Sequence, residues 1–249
     1  MDHALYIAMS GAKQNALGVA ATSNNLANVS TTGFRQDFEQ ARSMPVFGEF
    51  YPTRAYAMEE RPASDFNPGT LIHTARDLDL AIENEGWFAV QDSSGEEAYT
   101  RRGDLRIDEL GRLLNGEGKQ LMGNAGPIVL PPFEKIEIAK DGTVSVVALG
   151  EDPAVVANVS QLKLVKPDLS EMEKGEDGLF HMRGAQPGDI QPFDVSVTLE
   201  VGHLEHSNVN SVQALTDMLA LQRQYEMQVK MMKTVDENAQ TTASIMDIQ

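Results

Sequence analysis

Residues 5–26 read LYIAMSGAKQNALGVAATSNNL, and their spacing decides the first element of the fold. Leu5, Met9, Ala12, Ala16, Val19, Ser23 and Leu26 step by four and three, the 3.5-residue period of a coiled-coil seam. Small neighbours at Ala4, Ala8, Ala20, Ala21 and Ala27 let such a helix approach others on more than one face. No proline interrupts residues 1–44, and Ser30-Thr31-Thr32-Gly33 supplies a stop. The spacing predicts a helix over about 3–28, roughly 40 Å long at 1.5 Å per residue.

The other end of the chain repeats the pattern. Ala214, Met218, Leu221, Tyr225, Gln228, Met232, Val235 and Ala239 step by four and three, with one polar break at Gln228. No Pro or Gly follows Gly202, and Ser207 or Asn208 is placed to cap the first turn. This predicts a helix over about 209–246, roughly 57 Å long. Leu215, Leu219 and Val229 fall outside the seam. A helix apolar on more than one face is normally buried on more than one face. The two helices are therefore expected to pair with each other and to pack against other subunits as well.

Between the helices the sequence reads as β. Trp87-Phe-Ala-Val90 is a short apolar strand, and Asp104–Asp108 alternates before the turn Glu109-Leu-Gly111. Lys135–Ala139 and Thr143–Val147 flank the turn Lys140-Asp141-Gly142, a hairpin signal. Ser160–Val165 and Asp194–Glu200 are further alternating runs. Residues 34–75 carry Pro45, Pro52, Pro62 and Pro68 with little periodicity, and are expected to run as an extended connector along a neighbouring surface. The expected class is α+β: long terminal helices paired as a coiled-coil-like layer, with a central mainly-β domain. The divisions are 1–33 (N-terminal helix), 34–75 (connector), 76–202 (mainly-β outer domain) and 203–249 (C-terminal helix).

Composition sharpens the division. Of 249 residues, 20 are Lys or Arg and 37 Asp or Glu, a formal net charge of −17. Residues 1–33 are neutral and 203–249 carry −3, so the middle holds −14. That balance argues against broad nucleic-acid or anionic-membrane binding. The absence of cysteine removes disulfide frameworks, thiolate zinc sites and thiol catalysis. No apolar run is long enough to span a bilayer, and MDHALYIAMSGA lacks the basic and apolar regions of a cleavable signal peptide.

Catalytic chemistry finds little support. Asp77 and Asp79 lie one strand period apart and could serve as an acid dyad on glycans, but a solvated strand face is by far the better reading. His203 and His206 stand at a metal-sharing helical spacing with no third ligand nearby, and read as surface histidines. Asp65-Phe-Asn67-Pro-Gly69 only weakly echoes a calcium loop, and no nucleotide-binding or hydrolase signature occurs. No catalytic, cofactor or metal site is expected.

Three runs carry a family likeness. Ser23-Asn-Asn-Leu-Ala-Asn-Val-Ser-Thr-Thr-Gly-Phe34 resembles the N-terminal signature of the bacterial flagellar rod and hook proteins, the axial family. Gly202–Asn210, followed by Leu221-Gln-Arg-Gln-Tyr-Glu226, resembles its C-terminal signature. Leu78–Phe88, Tyr99–Gly103 and Leu113–Gly118 resemble the β domain these subunits share. The opening Met1–Ala12, with Pro52-Thr-Arg54, Gly126-Pro-Ile128 and Leu162–Lys166, is most similar to the proximal-rod branch. The distal-rod or hook-type subunits are the alternative. Ser30 stands where the family often has Asn, a change that preserves turn formation.

The resemblance implies a structural subunit of the drive shaft that carries motor torque to the hook. It implies passage through the flagellar type III export apparatus without a cleavable signal, and assembly with other rod subunits in the periplasm. The terminal helices would form an inner tube and the β domain an outer layer, in a helical array built by head-to-tail contacts. Leu5, Met9, Val19, Leu26, Phe34, Met218, Leu221, Tyr225, Met232 and Val235 are then expected in helix contacts, some of them between subunits. Asn24, Asn25, Asn28, Asn208 and Asn210 are expected to satisfy helix ends or to bond across subunits. Two other classes stay on the page: a secreted β-rich glycan-acting enzyme, and a binding module on a homo-oligomeric stalk.

Overall fold

Helix α1 spans Asp2–Ala27 and helix α2 spans Ser211–Met246 in the computed structural model, which describes residues 2–47, 51–59, 63–150, 156–184 and 188–246. Helix α1 closes as the Asn28 amide donates to the carbonyls of Asn24 and Asn25, both at 3.1 Å. Gly33, at φ 67°, then reverses the chain where a side chain would be strained. The cap of α2 is Asn210, not Ser207 or Asn208. Its Oδ1 accepts from the amides of Val212 (3.1 Å) and Gln213 (3.2 Å). Residues His203–Glu205 are still in a strand, so the helix starts only after the chain has left it.

The chain divides into two units. The first comprises 1–29, 36–65 and 209–249, and the second 30–35 and 66–208. The backbone therefore passes from one unit to the other at four places: 29/30, 35/36, 65/66 and 208/209.

In the first unit α1 and α2 run antiparallel. A Cβ on Gly11 would lie 3.1 Å from Gln228 Nε2, and one on Gly18 would lie 3.1 Å from Leu221 Cδ1. Seven residues up α1 thus match seven down α2. On α2 the expected seam turns inward except at Tyr225. Ala214, Met218, Leu221, Gln228, Met232, Val235 and Ala239 are buried or half-buried, and every other described position from 211 to 245 is exposed, Tyr225 among them. On α1 the face turned inward is roughly a quarter turn round from the expected one, at 100° per residue. Ala8, Ala12, Gly18 and Asn25 are its buried members, while Leu5, Met9, Ala16 and Ser23 are exposed. Small residues allow the close approach that the two glycines record, so the small face packs and the bulkier one is left outside.

Residues 34–75 differ from the expected bare connector. Ala41–Phe47 and Pro52–Glu59 form an antiparallel ribbon, and Asp37–Phe38 pairs with Ala63–Ser64. A two-stranded ribbon is all edge, so Pro45, opposite Ala55, fits without breaking a wider ladder. Such a ribbon needs no one-sided burial, which is why no alternation marked it.

The second unit is mainly β. Its largest sheet is antiparallel in the order 172–174, 180–182, 97–100, 87–91, 120–123, 113–114 and 106–107. Phe133–Ile138, Thr143–Ala148 and Ala157–Gln161 make a separate three-stranded sheet around the expected Asp141-Gly142 turn. One core gathers Leu80, Phe88, Leu105, Leu121, Val144, Leu164 and Leu199, and a smaller one gathers Trp87, Tyr99, Val165 and Phe180. The run Asp194–Thr198, expected as strand, is a turn held by Asp194 Oδ1 accepting from the Ser196 amide at 2.8 Å. The strand begins at Leu199 and pairs with Leu80–Ile82.

Candidate functional site

The residues singled out for chemistry do not converge. Asp77 sits exposed in a turn, while Asp79 is buried and takes a 3.2 Å bond from Arg76 Nη1. The two carboxylates share no strand face and make no dyad. His203 lies on a strand, not on a helix, and its ring packs on His73 across the ribbon with centroids 4.7 Å apart. Asp92, Asp177 and His181 bring three potential ligand atoms within 4.8 Å of one another. Lys119 Nζ already lies 3.1 Å from Asp92 Oδ1, so a cation is supplied by the protein itself. Among the described residues no helix is long and apolar enough to cross a membrane.

The most concentrated electrostatics lie in the second unit, around Glu205. This carboxylate is buried at the end of the strand His203–Glu205, which pairs with Leu71–His73. Arg35 Nη1 lies 2.5 Å from one carboxylate oxygen and Arg101 Nη1 3.1 Å from the other. The Gly69 amide adds a 2.9 Å bond to the first oxygen. Trp87 receives both guanidinium groups on its ring, Arg35 at 5.8 Å and Arg101 at 5.5 Å from the centroid. Arg101 also donates to the carbonyls of Ile82 (3.3 Å) and Asn84 (2.7 Å). Burial lowers Arg101 to about 10; Glu205 pulls it up and Arg35 pushes it further down. It remains charged at neutral pH. Arg35 is fully buried, yet none of its three side-chain nitrogens meets a well-aligned acceptor.

Sequence reading missed Arg35 and Glu205. Glu205 lies within the Gly202–Asn210 signature, but neither residue is marked as buried by its spacing. The available signal was their position: Arg35 directly follows the Gly33-Phe34 turn, and Glu205 sits inside a run otherwise rich in His, Leu and Asn.

The second feature is an exposed apolar face on the first unit. Val212, Leu215 and Leu219 follow the i, i+3, i+7 rule of one helix side, roughly opposite the seam that meets α1. Met227, Val229 and Met231 are also exposed, at other angles round α2, and Leu5, Tyr6 and Met9 are exposed on α1. Of the residues expected in helix contacts, Val19, Leu26, Met218, Leu221, Met232 and Val235 are half-buried within the chain, while Leu5, Met9 and Tyr225 are exposed. Phe34 lies in the second unit, its ring 4.0 Å from Lys174 Nζ.

The asparagines serve backbone groups. Asn25 makes a two-point contact with Asp37, donating to its carbonyl at 2.7 Å and accepting from its amide at 2.9 Å. Asn24 Nδ2 lies 3.5 Å from the Asp37 carboxylate, and Asn28 bonds the Asn24 carbonyl at 2.9 Å. Asn208 donates to the Asn67 carbonyl at 3.0 Å.

Comparison with known proteins covers both ends and the middle. Residues 5–35 match the flagella basal body rod protein family, 81–146 the flagellar hook protein FlgE/F/G D1 domain, and 200–245 the flagellar basal body rod FlgEFG protein C-terminal family. The chain is 43% identical over 242 residues to the flagellar basal-body rod protein FlgF of Escherichia coli K12, covering 96% of each chain. It is 42% identical over 241 residues to FlgF of Salmonella typhimurium LT2, again covering 96% of each. The flagellar basal-body rod protein FlgG of Buchnera aphidicola from Schizaphis graminum is 30% identical over 271 residues, covering 98% of this chain and all of that one.

Proposed function

The chain belongs to the flagellar basal-body rod protein family, and on that premise we propose that it builds the proximal rod through the apolar faces of its terminal helices. It is a structural subunit of the flagellar basal body and not an enzyme. The greater identity to the FlgF relatives than to the FlgG relative favours the proximal over the distal rod.

In this reading α1 and α2 pair as a coiled-coil-like layer lining a tube, and the acidic β unit faces outward. The exposed stripe Val212, Leu215 and Leu219 packs against neighbouring rod subunits, together with Leu5, Met9 and Tyr225. Covering these side chains removes apolar area from water at about 25 cal/mol per Å². The chain reaches its place unfolded through the type III export apparatus and orders its helices on assembly. Once assembled, the rod carries torque to the hook across the periplasm. The observation that carries the reading is the apolar stripe lying away from the intrachain seam.

The test is Leu219→Asp in cells lacking the native chain. Leu219 is exposed, so the substitution leaves the α1–α2 seam intact, which Leu221→Asp would not. The expected outcome is an exported chain, no rod and no swimming. Swimming cells with complete basal bodies would refute the assembly role of the stripe.

A further inference from the structure

Segment 30–35 is an excursion: the chain leaves the first unit after Val29, spends six residues in the second, and returns at Gln36. The Gly33 amide donates to the Glu205 carbonyl at 2.8 Å, and the Asn208 amide meets the Phe34 carbonyl at 3.4 Å. Gly33 packs so tightly that a Cβ there would lie 2.5 Å from the Arg101 carbonyl carbon.

Thr32 Oγ1 lies 3.4 Å from Asp104 Oδ1 and Lys174 Nζ sits 4.0 Å from the centre of the Phe34 ring, but the fully buried side-chain attachment is Arg35, and it is lopsided. Among the described residues Glu205 is the one carboxylate in contact with either buried guanidinium. Arg101 keeps two carbonyl partners of its own, at Ile82 and Asn84. Arg35 has only Glu205 and the face of Trp87. Lys174 brings a further positive charge, its Nζ 3.3 Å from the Arg35 carbonyl. Without the Glu205 charge, the two buried guanidinium groups would lie over Trp87 with no carboxylate in contact among the described residues. The cheapest relief is for Arg35 to leave for water, because a buried charge without a partner costs far more than a broken neutral bond. Arg101 is held in place by its carbonyls.

We infer that Glu205 is a latch: its carboxylate, by holding Arg35, keeps segment 30–35 docked in the β unit, and its loss frees that segment while the β core stays folded. The latch joins the two ends of the chain, since Arg35 follows α1 and Glu205 precedes α2. It makes the docking of 30–35 a step separate from folding of the core, one that a chain arriving unfolded completes only after residues 203–208 have arrived.

The test uses the full chain and trypsin, because Arg35-Gln36 is itself a cleavage site buried by the latch. In Glu205→Gln, cleavage after Arg35 is expected to rise roughly ten- to hundredfold. Cleavage after Arg101 and hydrogen exchange in 87–91 and 120–123 are expected to stay as in the parent. Adding Arg35→Met removes the uncompensated charge and is expected to restore slow exchange in 31–36. Unchanged cleavage after Arg35 in Glu205→Gln would overturn the proposal. So would loss of the core protection together with that of the segment, because the triad would then be part of the core and not a latch on it. Failure of Arg35→Met to restore protection would equally remove the charge argument.

Discussion

Gly18 of α1 lies directly against Leu221 of α2, so close that a Cβ at position 18 would sit 3.1 Å from Leu221 Cδ1. The leucine can yield by a few tenths of an ångström. Gly18→Ala is therefore expected to be near neutral, the helix-propensity gain of about 1 kcal/mol offsetting the squeeze. Gly18→Leu has no such room and is expected to separate the helices. Far-ultraviolet circular dichroism on heating should show an earlier loss of helix for Leu than for Ala. Equal melting of the two variants would mean that the close approach does not matter.

Lys163 and Glu97 form a buried pair, Nζ to Oε2 2.6 Å, and Tyr99 donates its hydroxyl to the other Glu97 oxygen at 3.1 Å. Lys163→Met would strand Glu97 in a core with no counter-charge. The expected cost is about 3–5 kcal/mol in urea unfolding followed by Trp87 fluorescence. Adding Glu97→Gln, which keeps an acceptor for Tyr99, is expected to recover most of that loss. A single variant as stable as the parent would show that the pair contributes nothing.

Gly69 supports the latch from below. Its amide binds Glu205, and a Cβ would fall 1.9 Å from the His206 carbonyl oxygen. Because that neighbour is backbone, Gly69→Ala must push apart the segments 66–70 and 205–208. A loss of about 2 kcal/mol or more is expected, with faster hydrogen exchange at 69–72 and 203–207. Retention of both would contradict the packing described.

Asp141 tests the pH dependence of the hairpin turn. The Thr143 amide and hydroxyl, at 3.0 and 2.9 Å, hold its carboxyl below the usual carboxylate range. A carboxyl lowered in the folded state stabilises above its ordinary value, and the contribution disappears as pH falls through the folded value. Asp141→Ala should therefore lower the melting temperature at neutral pH. The difference should shrink as the solution is acidified below about pH 4. A gap that stays constant across that range would rule out the charged form as the stabilising one.

The helices were legible because their seams are long and repeat, but the side chosen on α1 was not. Apolar spacing gave Leu5, Met9, Ala12, Ala16, Val19, Ser23 and Leu26, of which only Ala12 is buried and Val19 and Leu26 half-buried; Ala8, Gly18 and Asn25, outside that spacing, are the other buried positions. Size, not hydrophobicity, selected the face, and the sequence pattern weighs only the latter. The ribbon Ala41–Phe47/Pro52–Glu59 escaped notice because a two-stranded ribbon imposes no alternation and tolerates proline. The Arg35–Glu205–Arg101 cluster was invisible for a different reason. Its members lie 66 and 104 residues apart along the chain, and their local positions, after the Gly33-Phe34 turn and inside the Gly202–Asn210 run, do not reveal that they meet. The family signatures, by contrast, were readable as short contiguous runs, and they led to the correct relatives.

Gly33 stands six residues past the end of α1 and Glu205 six residues before the start of α2, and the 2.8 Å bond from the Gly33 amide to the Glu205 carbonyl ties them together inside the second unit. The segments that leave the first helix and lead into the last are therefore moored to each other, although some 170 residues of chain separate them.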